Sequence, residues 1–367
     1  MFWFGENSFL GIDIGTSTIK MIEVKLKSKK PIITNYSWAQ INNWYGDLNS
    51  DFFNNVLPQY LKQIVEKGKF IKKNAYVALP SFSGLITVIE FPEMPKEDLE
   101  QAVRFEAHKY IPLPLEEVVL SWDILNSGAP ASAPITAEQA MAATNQSAGT
   151  ASAKKIQILL VAAPKSRVEK YQQLIRKAGI GLKNIELESF SLVRALVGND
   201  PGNFVIVDIG FRVCNIILVE KGEIKVSRNI DAGGINITYG IAQSMNIDED
   251  RAEKLKVSSK DFLSQQSGII FPVLEVITEE VKRVILNYYK DINNSQINSI
   301  ILSGGTAKFY GIEEYFQKAL NIKTIKGDPL ARIEYDKKIE TAINEIRPQL
   351  AVCVGLVLKG IEEKTKK

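Results

Sequence analysis

Apolar residues in this chain fall into short solid runs, alternating runs and helically spaced stripes, and their order is the first guide to the fold. Residues 9–14, FLGIDI, form a solid apolar run with no helical spacing, which reads as a buried strand stopped by Gly15. Residues 19–26 alternate apolar and polar as a second strand does, and residues 31–38 continue as a third. Residues 51–68 carry Phe52, Val56, Leu57, Leu61, Ile64 and Val65 near one stripe, which predicts a helix. Strands are then expected at 75–79 and 85–91, around a loop at 80–84. A helix opens at Met94-Pro95 with acids in its first turn, runs to about Tyr110 and is stopped by Pro112 and Pro114. Strands at 116–125 and 156–163 bracket residues 127–153, a run of Ala, Ser, Thr, Pro and Gly without aromatic residues. Such a composition cannot bury enough apolar surface to order itself, so a flexible loop is expected there. A helix at 165–178, a short strand at 185–188 and a helix at 189–197 follow.

From residue 204 the opening pattern returns. Strands at 204–210, 213–219 and 223–229 carry VDIG where the first hairpin carries IDIG. An internal repeat of this kind predicts two duplicated halves facing a shared ligand. Helices follow to Met245 and over 248–256. Residues 272–290 place Val273, Val276, Ile277, Val281, Val284, Ile285 and Tyr288 on one helical face. A strand at 298–302 runs into Ser303-Gly304-Gly305-Thr306, where paired glycines permit close backbone approach by a flat ligand. In the last apolar segment, 350–358, Ala351 and Gly355 are small enough for two helices to touch. The charged tail, 362–367, is expected to fray.

The chemistry sits in the glycine turns. Small residues in Gly15-Thr16-Ser17-Thr18 leave backbone N–H groups free to converge on one anion, most often a phosphate. Asp13 beside such a nest would repel a phosphate unless a divalent cation lay between, and Mg²⁺ held through waters is the usual solution. Lys20 adds a positive charge near the same place. An ordinary hairpin with a glycine turn is the alternative reading. The turn joins two strands, so it is neither a P-loop nor a Rossmann turn, both of which open a helix.

Composition narrows the function classes. A chain of 367 residues, 45% hydrophobic and 24% charged, is an ordinary globular protein with room for two domains. A net charge of +3 without an arginine-rich or basic-aromatic stripe argues against a nucleic-acid binder. Cys214 and Cys353 lie far apart in apolar runs and read as core packing in a reducing compartment. No run of eighteen apolar residues exists, and Met1-Phe2-Trp3-Phe4 has neither basic flank nor cleavage site, so a cytosolic location is expected. His108 has no His or Cys partner and reads as an ordinary helix residue, which leaves no metal centre or Ser/His triad around it. Lysine clusters at 27–30 and 69–73 have the composition of anionic-lipid contacts, and the reading preferred for them is solvated faces.

Taken together, the two D-x-G hairpins, the Gly-Gly turn and the small-residue helices resemble the actin-like ATPases. IDIGTSTIK is similar to the first phosphate motif, VDIGFRVCN to the second and ILSGGTAKFYGI to the adenosine motif. ESFSLVRAL and LAVCVGLVL are similar to the two connecting helices. The resemblance implies an α/β fold of two RNase H-like halves. The first half would span 1–74, 185–197 and 348–367, and the second 198–347. An inserted α+β module would span 75–184, with its flexible loop at 127–153. The module resembles those of the cell-division protein FtsA and the type IV pilus assembly protein PilM. AHKYIPLPLEEVVLSWDIL, VAAPKSRVEKYQQLIRKAGI and AGGINITYGIAQSMNIDEDRAEKLK look most like the PilM family.

That resemblance implies ATP and Mg²⁺ as cofactors. Asp13 and Asp208 would hold the metal, while Gly15, Thr16, Ser17, Thr18 and Lys20 would contact the phosphates. Asp208 and Gly210 would face them from the other half. Gly233 and Gly234, Glu253 and Lys256 of the A-E-x-x-K pattern, and Gly304, Gly305 and Thr306 would surround the nucleoside. Glu188 and Asp208 would be the catalytic pair, with Glu188 orienting the attacking water. Phe211-Arg212-Val213 departs from the small residues usual in the second phosphate loop, so slow hydrolysis is expected, with Arg212 as a substitute phosphate ligand or a plain surface residue. The family further implies a cytoplasmic platform of pilus assembly. It would dock the N-terminal cytoplasmic peptide of the inner-membrane protein PilN, reach the membrane through that partner, and contact pilus motor ATPases. An FtsA-like division or filament protein is the alternative, and a small-molecule kinase is a third reading.

Overall fold

Strand β1 (Ser8–Ile14) is buried at every position and continues through a tight turn into β2 (Thr18–Lys27) and β3 (Lys30–Gln40). The computed structural model describes residues 7–41, 47–125, 155–290 and 297–366. The loop expected at 127–153 therefore lies outside the described residues. The next helix, α1 (Leu57–Lys67), opens with one wide π turn at Phe52–Val56 and precedes β4 (Ala75–Leu79). Then come β5 (Leu85–Pro92), α2 (Lys96–Ala107), β6 (Val118–Leu125) and β7 (Lys155–Pro164). They are followed by α3 (Lys165–Lys177), β8 (Leu182–Leu187) and α4 (Glu188–Leu196). The second run of elements begins with β9 (Asn203–Ile209), β10 (Cys214–Glu220), β11 (Glu223–Ile230), α5 (Gly234–Met245) and α6 (Glu249–Lys256). It ends with α7 (Pro272–Tyr289), β12 (Ser299–Ser303), α8 (Ile312–Leu320), β13 (Thr324–Lys326), α9 (Glu340–Ile346) and α10 (Ala351–Thr365).

The repeated IDIG and VDIG hairpins open two sheets of identical layout. The first has the order β3-β2-β1-β4-β8 and the second β11-β10-β9-β12-β13. In each, the hairpin strands are antiparallel and the later strands lie parallel to the first one. The third sheet, β5-β7-β6, is antiparallel throughout.

Contacts divide the chain into two compact units, Met1–Gly84 with Lys165–Lys367, and Leu85–Pro164. The module expected at 75–184 is thus narrower. Residues of β4 pair in parallel with β1, Leu10 opposite Ala75 and Ile12 opposite Val77, and β8 pairs with β4. Both strands and α3 therefore belong to the first unit. The reason is burial on two faces: AYVAL is fully enclosed, as a central parallel strand must be, and its sequence does not reveal which sheet encloses it.

Within the first unit, α4 and α10 pack backbone to backbone. A Cβ added at Gly355 would fall on the Ser191 carbonyl, and one at Gly11 would fall on that of Cys353. Arg194 locks the crossing by donating to the Gly355 carbonyl at 2.9 Å and to Glu186 at 2.6 Å. On α7 the expected stripe is buried at Val273, Ile277, Val281, Val284 and Ile285, whereas Val276 is 54% exposed. The charged end of α10 is helical to Thr365 instead of frayed, with Tyr76 donating to Glu363 at 3.0 Å. In the second unit, α2 buries Leu99 and Val103 against Ile89, Phe91, Ile158 and Leu160 of the sheet, and His108 lies exposed just beyond the helix.

Candidate functional site

The ends of the two duplicated hairpins line a cleft of about 500 Å³. On the first half, Asp13 is the last residue but one of β1 and the Gly15 N–H donates to the Thr18 carbonyl at 2.9 Å, closing the turn. Lys20 stands directly opposite Asp13 in the β1–β2 register, and its ammonium lies 2.9 Å from the Asp13 carboxylate. On the second half, the Gly210 N–H donates to the Val213 carbonyl at 3.0 Å, and Asp208 stands opposite Asn215. Asn215 therefore holds the position in the second hairpin that Lys20 holds in the first. The same seven-residue spacing separates the aspartate from its partner in both motifs, and an amide is a weaker sequence signal than a charge.

Glu188 enters from the start of α4. Its carboxylate accepts from the Ser81 N–H at 3.2 Å and from the Asn215 amide at 3.3 Å. Enclosure, reinforced by the Asp13 and Asp208 carboxylates, pushes Glu188 up to about 8. Burial likewise pushes Asp208 up to about 6, against hydrogen bonds from Ser303 and Asn215 and the charge of Lys20. Burial weakens the Lys20 ammonium too, but Asp13 outweighs it and holds the lysine above its ordinary value. Three carboxylates thus face one ammonium.

The remaining wall of the cleft is built from the start of α5, from α6 and from the turn after β12. Gly234 opens α5, and a Cβ there would meet the Thr306 hydroxyl at 2.5 Å; Gly304 has φ +83°, which favours glycine. Lys256 is buried and donates to Glu253 at 2.5 Å, Thr238 at 2.9 Å and the Gly234 carbonyl at 3.1 Å. Burial lowers its pKa despite Glu253. Asp13, Gly15, Thr16, Ser17, Thr18, Lys20, Glu188, Asp208, Gly210, Gly234, Glu253, Lys256, Gly304, Gly305 and Thr306 all line the one cleft. Gly233 does not: it packs behind the wall, where a Cβ would meet the Phe211 and Arg212 backbone at 2.6–2.8 Å.

Two features could not be placed from sequence, the destination of Arg212 and the Trp38–Gln349 pair. Arg212 is turned to Asp231, with contacts of 2.8 and 3.0 Å, and is absent from the cleft wall, so it is no substitute phosphate ligand here. Phe211 and Val213 do line the cleft. Trp38 donates to Gln349 at 2.5 Å across the cleft rim, a pair 311 residues apart that no local pattern announces.

The residues fit a hydrated divalent cation and a phosphate chain. The Asn215 Oδ1 is buried without a hydrogen-bond partner, and the surplus of carboxylates calls for positive charge. Among the described residues, no group of three or more His, Cys, Asp or Glu side chains could hold a metal by themselves. Mg²⁺ typically keeps several waters and takes one or two carboxylates plus phosphate oxygens, so Asp13 and Asp208 suffice.

The chain is similar to the cell division protein FtsA of Helicobacter pylori, 22% identical over 232 residues, covering 55% of this chain and 46% of that one. It therefore spans about half the length of that relative. FtsA of Streptococcus pneumoniae is 19% identical over 351 residues, 87% of this chain and 75% of the relative. Among solved structures, a PilM–PilN type IV pilus biogenesis complex superposes with a TM-score of 0.75 at 24% identity, covering 96% of this chain and 98% of that one. MreB 5 of Spiroplasma citri bound to AMPPNP gives a TM-score of 0.52 at 12% identity and 98% coverage of both chains. These likenesses show the actin-like ATPase fold. The family model for type IV pilus assembly protein PilM matches residues 11–148 and 143–361. The chain belongs to the type IV pilus assembly protein PilM family.

Proposed function

We propose that this protein is an ATP-binding platform of type IV pilus assembly that docks the N-terminal cytoplasmic peptide of a PilN-like inner-membrane protein. Membership of the PilM family carries the reading, and the complex with PilN found for a protein of the same fold supports the choice of partner. On this reading the protein works at the cytoplasmic face of the inner membrane, held there by its partner. Pilus motor ATPases are a further expected contact.

Bound Mg²⁺-ATP would supply a charged bridge between the two halves. Asp13 and Asp208 hold the hydrated cation, and Gly15–Thr18 with Lys20 hold the phosphates. Gly234, Glu253, Lys256 and Gly304–Thr306 enclose the nucleoside. Glu188 orients water, yet a carboxyl that stays protonated up to about 8 is mostly in its acid form near neutral pH and cannot take a proton there, and Phe211 and Val213 crowd the second phosphate turn. Both favour slow turnover, with the nucleotide acting chiefly as a structural ligand. Asp13→Ala is expected to weaken Mg²⁺-ATP binding at least tenfold, about 1.4 kcal/mol for one lost charge-assisted contact. The loss should vanish in EDTA, because it belongs to the cation. Calorimetry showing the same affinity for variant and parent in Mg²⁺ would remove Asp13 from the site.

Docking is tested separately. The sheet of the second unit ends on β6, where Val119 and Ile124 are each 47% exposed, and an open strand edge suits an extended apolar peptide. A short segment that must order on binding should reach roughly micromolar affinity. Titration of the peptide from a neighbouring PilN-like protein, with and without ATP, measures this. Absence of binding at hundreds of micromolar, a range worth about −5 kcal/mol, would move the FtsA-like filament reading ahead.

A further inference from the structure

Strands β1, β4 and β8 run parallel and end together at the cleft, so their starts, Ser8, Ala75 and Leu182, share the opposite end of the sheet. The two lysine clusters that the sequence separates by about forty residues meet at this end. The β2–β3 turn passes through Ser28 and Lys29, both at positive φ, and projects Lys27 and Lys29 outward. The loop entering β4 carries Lys69 and Lys73. It is tied to the strand starts by the Gly181 N–H donating to the Lys72 carbonyl at 2.7 Å, and to β3 by Asn35 donating to the Gly68 carbonyl at 2.6 Å. Lys183 lies at the start of β8, and Lys366 just beyond α10, whose Lys364 reaches Asn7 beside the start of β1. Lys27, Lys29, Lys69, Lys73, Lys183 and Lys366 are all exposed, and none has an ion-pair partner among the described residues. The nearby acids are engaged: Glu66 with Lys72 at 3.3 Å and Glu334 with Lys30 at 2.8 Å.

We propose that this end of the first half is an electrostatic contact for an anionic lipid bilayer, which lays the protein on the membrane with its nucleotide cleft about 20 Å away on the far side. Two observations favour a bilayer over an acidic protein or nucleic acid. The charges are lysines spread over the ends of several elements, which suits a diffuse sheet of headgroups; an arginine fork would suit a fixed phosphate or carboxylate. Their number lies within the four to eight basic residues typical of lipid-binding clusters.

The test uses the full chain, with and without the substitutions Lys29→Glu, Lys69→Glu and Lys73→Glu combined. Flotation with phosphatidylcholine vesicles containing phosphatidylglycerol should recover the parent protein. Recovery should fall at least about tenfold in the variant, and also in roughly 0.5 M salt, where screening shortens to a few ångström. Vesicles of phosphatidylcholine alone should recover neither. The exposed variant should keep its thermal midpoint, so a loss of recovery is not a loss of fold. Equal recovery of parent and variant, no recovery of the parent on anionic vesicles, or retention on polyglutamate or DNA without vesicle binding would each overturn the proposal. No arm depends on nucleotide or on the pilus partner.

Discussion

Replacing Gly355 with alanine destabilises the protein, by on the order of 2 kcal/mol, although the same change in an exposed helix normally stabilises. Alanine gains roughly 0.5–1 kcal/mol over glycine in a helix interior through lower backbone entropy in the unfolded chain. At Gly355 that gain is opposed by a clash, because the new Cβ falls on the backbone of Ser191 in the facing helix. Backbone cannot rotate aside as a side chain can. The helices must separate, losing contacts around Leu192, Val354 and Leu358 and stretching the Arg194 bond to the Gly355 carbonyl. Overpacking of this kind costs about 1–3 kcal/mol or more, and it outweighs propensity. Urea unfolding measures the balance. A midpoint equal to or above the parent's would show that the α4–α10 crossing tolerates a methyl group. Because Glu188 begins α4, nucleotide affinity should fall together with stability.

Glu188→Gln is the second large effect, and its size depends on pH. The carboxyl is pushed from 4.5 up to about 8 by enclosure and by its two acidic neighbours. Below 4.5 it is protonated in both folded and unfolded chains, and no penalty exists. Between 4.5 and about 8 the unfolded chain releases the proton while the folded chain keeps it, so stability falls as pH rises; above about 8 the whole penalty is present. Glutamine is a neutral mimic of the protonated carboxyl. The variant should match the parent near pH 5 and be more stable near pH 9, by on the order of 3 kcal/mol once partial access to water in the cleft is allowed for. Thermal midpoints at the two pH values decide it. Parallel pH profiles would mean that Glu188 is ionised in the fold.

Much of this protein was legible in its sequence because the informative interactions are local. The D-x-G turns close hydrogen bonds between residues three apart, and the Asp13–Lys20 pairing follows from hairpin register alone. The repeat of IDIG as VDIG fixed the duplication, and nearly every residue expected at the cleft lines it. Helix α7 was readable from its stripe, apart from Val276 at the stripe's exposed margin.

What the sequence left open were choices between distant partners. AYVAL fits any sheet that covers both its faces, and only pairing with β1 and β8 assigned it to the first unit. Arg212 had two destinations within reach, and Asp231, nineteen residues away, took it from the cleft. The Trp38–Gln349 bond and the gathering of Lys29, Lys69 and Lys183 at one end depend on closure of the whole sheet. Periodicity encodes which face of an element is apolar; it does not encode which of several apolar surfaces will cover that face. That decision rests on packing between segments far apart in the chain, and it exists only once the tertiary structure has formed.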